Sequence, residues 1–173
     1  MMISLKKLKD REETSPLLPH YEKTFPADER RENEQFLALT ENPDVEIFSL
    51  QEGETTIGYA VIWNLGTFFY LEHFEVFEEF RNRKFGAAIL NLLTHEFSKM
   101  VLESEPSDLD EIAARRIGFY ERNGFQVIDK NYIQPSYGDG KSSMELYLLA
   151  NFPIINLPEI TDKIHQTVYH FWK

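Results

Sequence analysis

Arg81, Arg83 and Lys84 put three cations into four consecutive positions, and Gly86 follows two residues later. Before them Phe74-Glu-Val-Phe reads as the end of an extended segment. After them Phe85, Ile89, Leu92, Leu93 and Phe97 recur at helical spacing. The cations therefore lie where a strand has ended and a helix begins. A helix N-terminus presents unpaired N–H groups and the positive end of the backbone dipole, so it is ready to bind an anion. The cations beside it suit a pyrophosphate, and Gly86 would let a ligand approach the backbone closely. The same residues also describe a basic helix start whose glycine serves packing, and this segment alone does not choose between the two. A second segment, Arg115-Arg-Ile-Gly-Phe-Tyr-Glu-Arg-Asn-Gly-Phe125, puts Tyr120 near a helix end. The chain has no cysteine, which removes thiolate nucleophiles, disulfides and most structural zinc sites together.

The elements that must position these residues follow from periodicity. Met2 to Leu8 alternates weakly, as an edge strand would. Ser15-Pro16 opens a first helix, and a second is expected from about Asp28 to Leu39, stopped by Asn42-Pro43-Asp44. Val45 to Leu50, Thr55 to Asn64 and Thr67 to Val76 read as a three-stranded antiparallel meander. A helix then covers Arg83 to Ser98, a short buried strand Lys99 to Glu103, and a second amphipathic helix Leu109 to Arg122, capped by Asn123-Gly124. Phe125 to Asp129 and Ser143 to Leu148 complete the strands. In the tail, Ile160, Ile164, Val168 and Phe171 keep helical spacing after Pro153 and Pro158. The expected class is α/β (α+β): a mixed, mostly antiparallel central sheet flanked by helices.

The 173 residues suit one domain, and 42% apolar composition supplies its core. We expect a domain over 1–150 and a C-terminal extension over 151–173, packed on the domain or on a partner subunit in a homodimer. The formal charge of −11 repels phosphate backbones, so nucleic acid is not expected as a partner. No stretch approaches a membrane span or a signal peptide, and a cytoplasmic location without a membrane partner is expected.

Together the two segments resemble the GCN5-related N-acetyltransferase (GNAT) superfamily. Its Arg/Gln-x-x-Gly-x-Gly/Ala signature is met by Arg81 and Gly86, with Lys84 in place of the middle glycine. The later Phe-Tyr-x-x-x-Gly-Phe is met in full by Phe119, Tyr120, Gly124 and Phe125. The resemblance is good from about Thr55 to Leu148, loose over the first fifty residues and weak in the tail. It implies acetyl-CoA as co-substrate and no metal, with a splayed strand pair holding the cofactor. The loop of Arg81, Asn82, Arg83, Lys84, Phe85, Gly86 and Ala87 would wrap the pyrophosphate. Backbone amides near Phe74 and Val76 would bind the thioester carbonyl and the pantetheine arm. Tyr120 would protonate the departing thiolate.

The superfamily often draws a general base from the strand that ends here at Val76. Plain alternation puts Tyr70, Glu72, Phe74 and Val76 on one face, which makes Glu72 the candidate and His73 its substitute if a bulge changes parity. Glu103, at the end of the next strand, is a weaker candidate for holding an amine. Arg115 and Arg116 fit a solvated helix face or a contact to the cofactor. The implied reaction is direct acetyl transfer to a small-molecule or peptide amine. A non-catalytic acyl-CoA sensor of the same fold is the alternative, although it would need neither Glu72 nor Tyr120.

Overall fold

The computed structural model describes residues 2–172, so the outermost residue of each expected segment lies outside it. Seven strands form a single sheet in the order β1-β2-β3-β4-β5-β7-β6. They are β1 (Ile3–Leu8), β2 (Val45–Glu52), β3 (Thr55–Asn64), β4 (Phe69–Val76), β5 (Met100–Ser104), β6 (Gln126–Gln134) and β7 (Met144–Ala150). Every neighbouring pair is antiparallel except β4 and β5, which run parallel. That pair is also the shortest ladder: it ends at Leu71 opposite Leu102, while β4 continues to Val76. The two strands thus part half-way along β4, and a gap opens in mid-sheet.

Helices cover both faces. On one side α4 (Phe85–Glu96) and α5 (Glu111–Arg122) bury Phe85, Ile89, Leu93, Ile117 and Tyr120 against Ile62, Leu71 and Leu102. On the other lie α1 (Arg11–Thr14), α2 (Leu18–Thr24), α3 (Asn33–Ala38) and α6 (Leu157–Thr167). Tyr21, Phe36, Ile160 and Ile164 there pack with Tyr59, Val61 and Trp63. Among the described residues no helix is long and apolar enough to cross a membrane.

The strands and the two long helices stand close to where periodicity puts them. Three elements differ. The first helical stretch opens before Ser15-Pro16: Asp10 caps α1 by accepting from the Glu13 N–H at 2.8 Å, and Ser15 lies inside the run. The helix expected from Asp28 is a single 3₁₀ turn at Ala27–Glu29, and α3 starts only at Asn33. Between them Arg30 is extended (φ −143°, ψ 160°), and the Arg31 N–H donates to the Tyr21 hydroxyl at 2.6 Å. The chain leaves the helical path so that Arg31 can turn inward, and a buried ion pair outweighs local propensity there. Strand β6 runs on to Gln134 because two irregularities, Val127/Asp129 and Asp129/Tyr132, break its alternation without ending its pairing.

Candidate active site

A bulge decides which side chains flank the gap. Val61 pairs with His73 and Ile62 with Leu71, so Glu72 has no partner of its own on β3. The alternation therefore slips by one. Tyr70, Glu72 and His73 face the α1–α3 and α6 side, whereas Phe74 and Val76 pack on the α4–α5 side. The expectation that Tyr70, Glu72, Phe74 and Val76 share one face is corrected accordingly.

The backbone beyond the bulge keeps the expected role open. Phe77 N–H donates to Ile57 at 2.8 Å, toward β3. Alternation then turns the N–H groups of Phe74 and Val76 the other way, into the gap that β5 has vacated. Gly58 is the residue opposite Val76, and a Cβ there would lie 2.0 Å from the Glu75 carbonyl oxygen. Only glycine lets β3 approach this part of β4.

The cationic loop ends in strained backbone. Asn82 and Lys84 have φ of 63° and 64°, left-handed values that L-residues other than Asn, Asp and Gly avoid. Lys84, in place of the signature glycine, adopts the conformation a glycine would. Such turns curl successive N–H groups toward a common point, as anion nests do, and the free N–H groups of Phe85, Gly86 and Ala87 at the start of α4 adjoin them. A Cβ on Gly86 would make only van der Waals contact with the Phe119 ring, at 3.4 Å, so the packing of α4 on α5 does not by itself require a glycine here. Arg81 turns back toward the sheet: its Nε donates to the Val76 carbonyl at 2.9 Å, and a terminal nitrogen lies 3.5 Å from Glu75. Arg83 lies over the Phe80 ring at 5.7 Å, with Asn82 and Lys84 exposed beside it.

Tyr120 sits on α5 between Phe119 and Phe125, and burial pushes its hydroxyl up to about 12 despite Arg116. At neutral pH it carries its proton. Among the described residues nothing bonds to that hydroxyl, which leaves the proton available.

Glu72 and Glu103 stand at the fork, and their surroundings drive them apart. Glu72 has no exposed side-chain surface and lies in the fork of Arg31, with Nε at 3.0 Å and a terminal nitrogen at 3.2 Å. Trp63 Nε1 donates to it at 2.7 Å and the Tyr137 hydroxyl at 3.0 Å, while His73 Nε2 lies 3.3 Å away. Burial alone would raise this carboxyl, but Arg31 and His73 outweigh burial and hold it well below the usual carboxylate range. A carboxylate so engaged neither meets an acceptor nor readily takes a proton, which runs against the base role expected for Glu72. Its bulge neighbour His73 is no more accessible: it is buried, bonded through Nε2 to Tyr21 at 3.2 Å, and its Nδ1 finds no partner among the described residues.

Glu103 is half-buried, and among the described residues no cation forms an ion pair with it. Its partners are hydroxyls: Tyr132 at 2.5 Å, and Tyr169 at 2.8 and 2.7 Å to its two oxygens. Desolvation, with the charge of Glu72 behind it, raises its pKa to about 7 against these hydrogen bonds. That is the value at which a carboxylate exchanges protons near neutrality. It occupies the face of the sheet opposite Tyr120, and the gap lies between them. Sequence reasoning missed Arg31, Tyr132, Tyr137 and Tyr169. Arg31 was hidden in the charged run Asp28-Glu-Arg-Arg-Glu32, Tyr132 and Tyr137 fell in the stretch between the last two expected strands, and Tyr169 fell in the tail.

Glu29, in the turn before α3, is also raised to about 7, by burial first and by the charge of Glu105 second, with Arg116 opposing. A cleft of about 550 Å³ opens beside Tyr137, lined also by Glu32, Asp139, Lys141 and Trp172. Among the described residues no cluster of three or more His, Asp or Glu could hold a metal.

Comparison with known proteins agrees with this architecture. Residues 43–127 match the acetyltransferase (GNAT) domain family. No curated protein matches the chain in sequence. Among solved structures, an acetyltransferase of the GNAT family from Bacteroides thetaiotaomicron superposes with a TM-score of 0.88 at 28% identity, covering 98% of each chain. The ribosomal-protein-S18-alanine N-acetyltransferase of Escherichia coli does so with 0.63 at 20% identity, over 90% of this chain and 99% of that one. Arabidopsis thaliana NAA60 in complex with acetyl-CoA gives 0.62 at 16%, over 86% and 97%.

Proposed function

Because this chain belongs to the GNAT acetyltransferases, we propose that it moves an acetyl group from acetyl-CoA directly to a cationic amine through the gap between β4 and β5. The observation that carries the proposal is the placement of two groups of opposite proton duty on opposite sides of that gap, Glu103 on one and Tyr120 on the other. Pairs of titratable groups driven apart by their surroundings assign acid and base roles.

In this reading the Arg81–Ala87 loop and the first turn of α4 hold the pyrophosphate. The N–H groups of Phe74 and Val76 line the path of the pantetheine arm and hydrogen-bond the thioester oxygen as it gains charge. The acceptor approaches from the Glu103 face. The neutral form of the amine reacts: its nitrogen lone pair attacks the thioester carbon, the carbon–sulfur bond breaks, Glu103 takes the one proton the nitrogen sheds, and Tyr120 gives its proton to the leaving sulfur. With no cysteine, this one-step route needs no covalent enzyme intermediate. Glu72, the base expected from sequence, instead keeps Arg31 and the bulge in place and adds its charge to the field that raises Glu103.

The acceptor class rests on charge. Glu103 puts a carboxylate at the gap of a chain of net charge −11, and such a field gathers ammonium groups. A polyamine, an aminoglycoside-like amine and a peptide amine all fit that description.

The test is thiol release from acetyl-CoA across a panel of cationic, neutral and anionic amines, with products read by mass spectrometry. The proposal expects acetylated cationic amines. Tight acetyl-CoA binding by calorimetry with no thiol released against any amine would favour the sensor, and a preference for anionic acceptors would remove the charge argument.

A further inference from the structure

The C-terminal segment after α6 runs into the site. Val168 offers its carbonyl to Arg31 at 3.0 Å, Tyr169 is 3% exposed, and Phe171 lies against Trp63 and over the Arg31 guanidinium at 5.6 Å. These flanking contacts fix the backbone on both sides of Tyr169. Its hydroxyl bonds both Glu103 oxygens, at 2.8 and 2.7 Å, and lies 3.1 Å from the Tyr70 hydroxyl. One hydroxyl has one proton to give. Since Glu103 is the stronger acceptor, Tyr169 donates to it and Tyr70 donates to Tyr169, a relay of two phenols aimed at one carboxylate.

We propose that Tyr169, delivered by the C-terminal tail, is a positioning residue of the transfer reaction: it orients the Glu103 carboxylate at the gap and sets the pH at which that carboxylate is ready to accept a proton. The proposal rests on the assignment of Glu103 as the base. Tyr169 makes no contact with the reacting atoms; it acts only through Glu103.

Every group that faces Glu103 bears on its titration. From β4 these are Tyr70 and Glu72, from β6 Tyr132, and from the β6–β7 loop Tyr137, whose ring centroid is 5.0 Å from that of Tyr169. From α6, His165 stands behind Tyr132 and Tyr169 at 5.4 and 6.4 Å between ring centroids. Arg31 is held by Glu72. The tyrosines are neutral donors across the working pH range, because burial raises each of them further. A hydrogen bond to the ionised form favours that form, so each donor lost makes Glu103 a later-ionising acid.

Tyr169→Phe keeps the ring and its packing and removes only the donor. Glu103 should then ionise about one pH unit higher. A carboxyl that was half ionised at pH 7 becomes about one-tenth ionised there. Turnover at pH 7 should fall about fivefold and recover by about pH 9. Tyr70→Phe removes the donor behind Tyr169 and should shift the titration the same way by less.

The experiment is a carbon-13 titration of protein labelled at the glutamate carboxyls, with the Glu103 resonance assigned by its loss in Glu103→Gln. It needs no acceptor. Alongside it, kcat/KM is followed against pH with the best amine from the panel. A Glu103 titration that moves upward in Tyr169→Phe and less in Tyr70→Phe, with the acidic limb of kcat/KM moving in step, supports the proposal. A titration midpoint that does not move in Tyr169→Phe overturns it. Wild-type turnover in Glu103→Gln would instead overturn the base assignment, and the tail's catalytic role with it, even if the titration shift were seen.

Discussion

Glu72→Gln separates a structural carboxylate from a catalytic one, because the two roles predict opposite readouts. The substitution keeps the shape of the side chain and removes its charge. Arg31, 2% exposed at its side chain, would be left as a buried cation with only the Val168 carbonyl at 3.0 Å and the faces of Trp63, Tyr137 and Phe171 for company. The new amide also brings two N–H donors into a pocket where Trp63, Tyr137 and Arg31 already donate. Breaking one side of a buried ion pair costs about 3–5 kcal/mol. The aromatic faces offset part of that, so the low end, about 3 kcal/mol, is expected. For a domain of this length each kcal/mol lowers Tm by roughly 2–4 °C, so Tm should fall by roughly 6–12 °C.

The pH dependence gives a second check. The folded state holds Glu72 below its unfolded value near 4.5, so its contribution is fully present above that pH and is lost as the pH falls toward the lower folded value. Urea titrations should therefore show wild type and variant well separated at pH 7 and converging below about 4.5. Adding Arg31→Met to Glu72→Gln removes the orphaned cation and should restore part of the loss. Turnover, measured at a temperature where the variant remains folded, should survive within about tenfold, the range below a typical general-base effect. The acidic limb should move to lower pH, since the charge that raises Glu103 has gone. A variant as stable as wild type but a thousandfold slower would refute this reasoning and return Glu72 to the mechanism.

Other outcomes follow from the same geometry. Tyr120→Phe should lower kcat by roughly one to three orders of magnitude with acetyl-CoA affinity nearly unchanged, as calorimetry and steady-state kinetics would show; wild-type turnover would make the ring packing alone. Lys84→Gly should raise stability by up to about 1 kcal/mol in urea melts by relieving the left-handed strain, and an unchanged or lower midpoint would deny that strain. Gly58→Ala should both destabilise the fold by at least about 1–3 kcal/mol and weaken acetyl-CoA binding, because the Glu75 carbonyl 2.0 Å from the new Cβ must move and Val76 with it; unchanged affinity in the folded variant would detach Val76 from the cofactor. Glu103 binds its proton more tightly folded than unfolded, so wild type should lose stability from about pH 4.5 to 7 and then level off, whereas Glu103→Gln should lose the Glu103 share of that slope and keep the share Glu29 contributes.

What could be read from the sequence was what local spacing encodes. The apolar repeat from Phe85 to Phe97 and the Phe-Tyr-x-x-x-Gly-Phe run fix helices and a turn whose partners lie within a few residues, and these stand nearly where expected. The carboxylates at the fork were not legible in the same way. Glu72 and Glu103 are each a carboxylate preceded by apolar residues on an expected strand and look alike in sequence, and what distinguishes them comes from far along the chain: Arg31 is 41 residues from Glu72, and Tyr169 is 66 from Glu103. The bulge compounds this, because one unpaired residue in β4 reverses every face assignment after it while leaving the alternation of residue types almost unchanged. The tail was the least legible part and reaches furthest into the site. Its helical spacing announced packing, and packing is what Ile160 and Ile164 do. The polar atom that this packing carries inward, the Tyr169 hydroxyl, gains its proposed role only because Glu103, on a strand laid down 66 residues earlier, accepts from it and has no cation paired with it among the described residues.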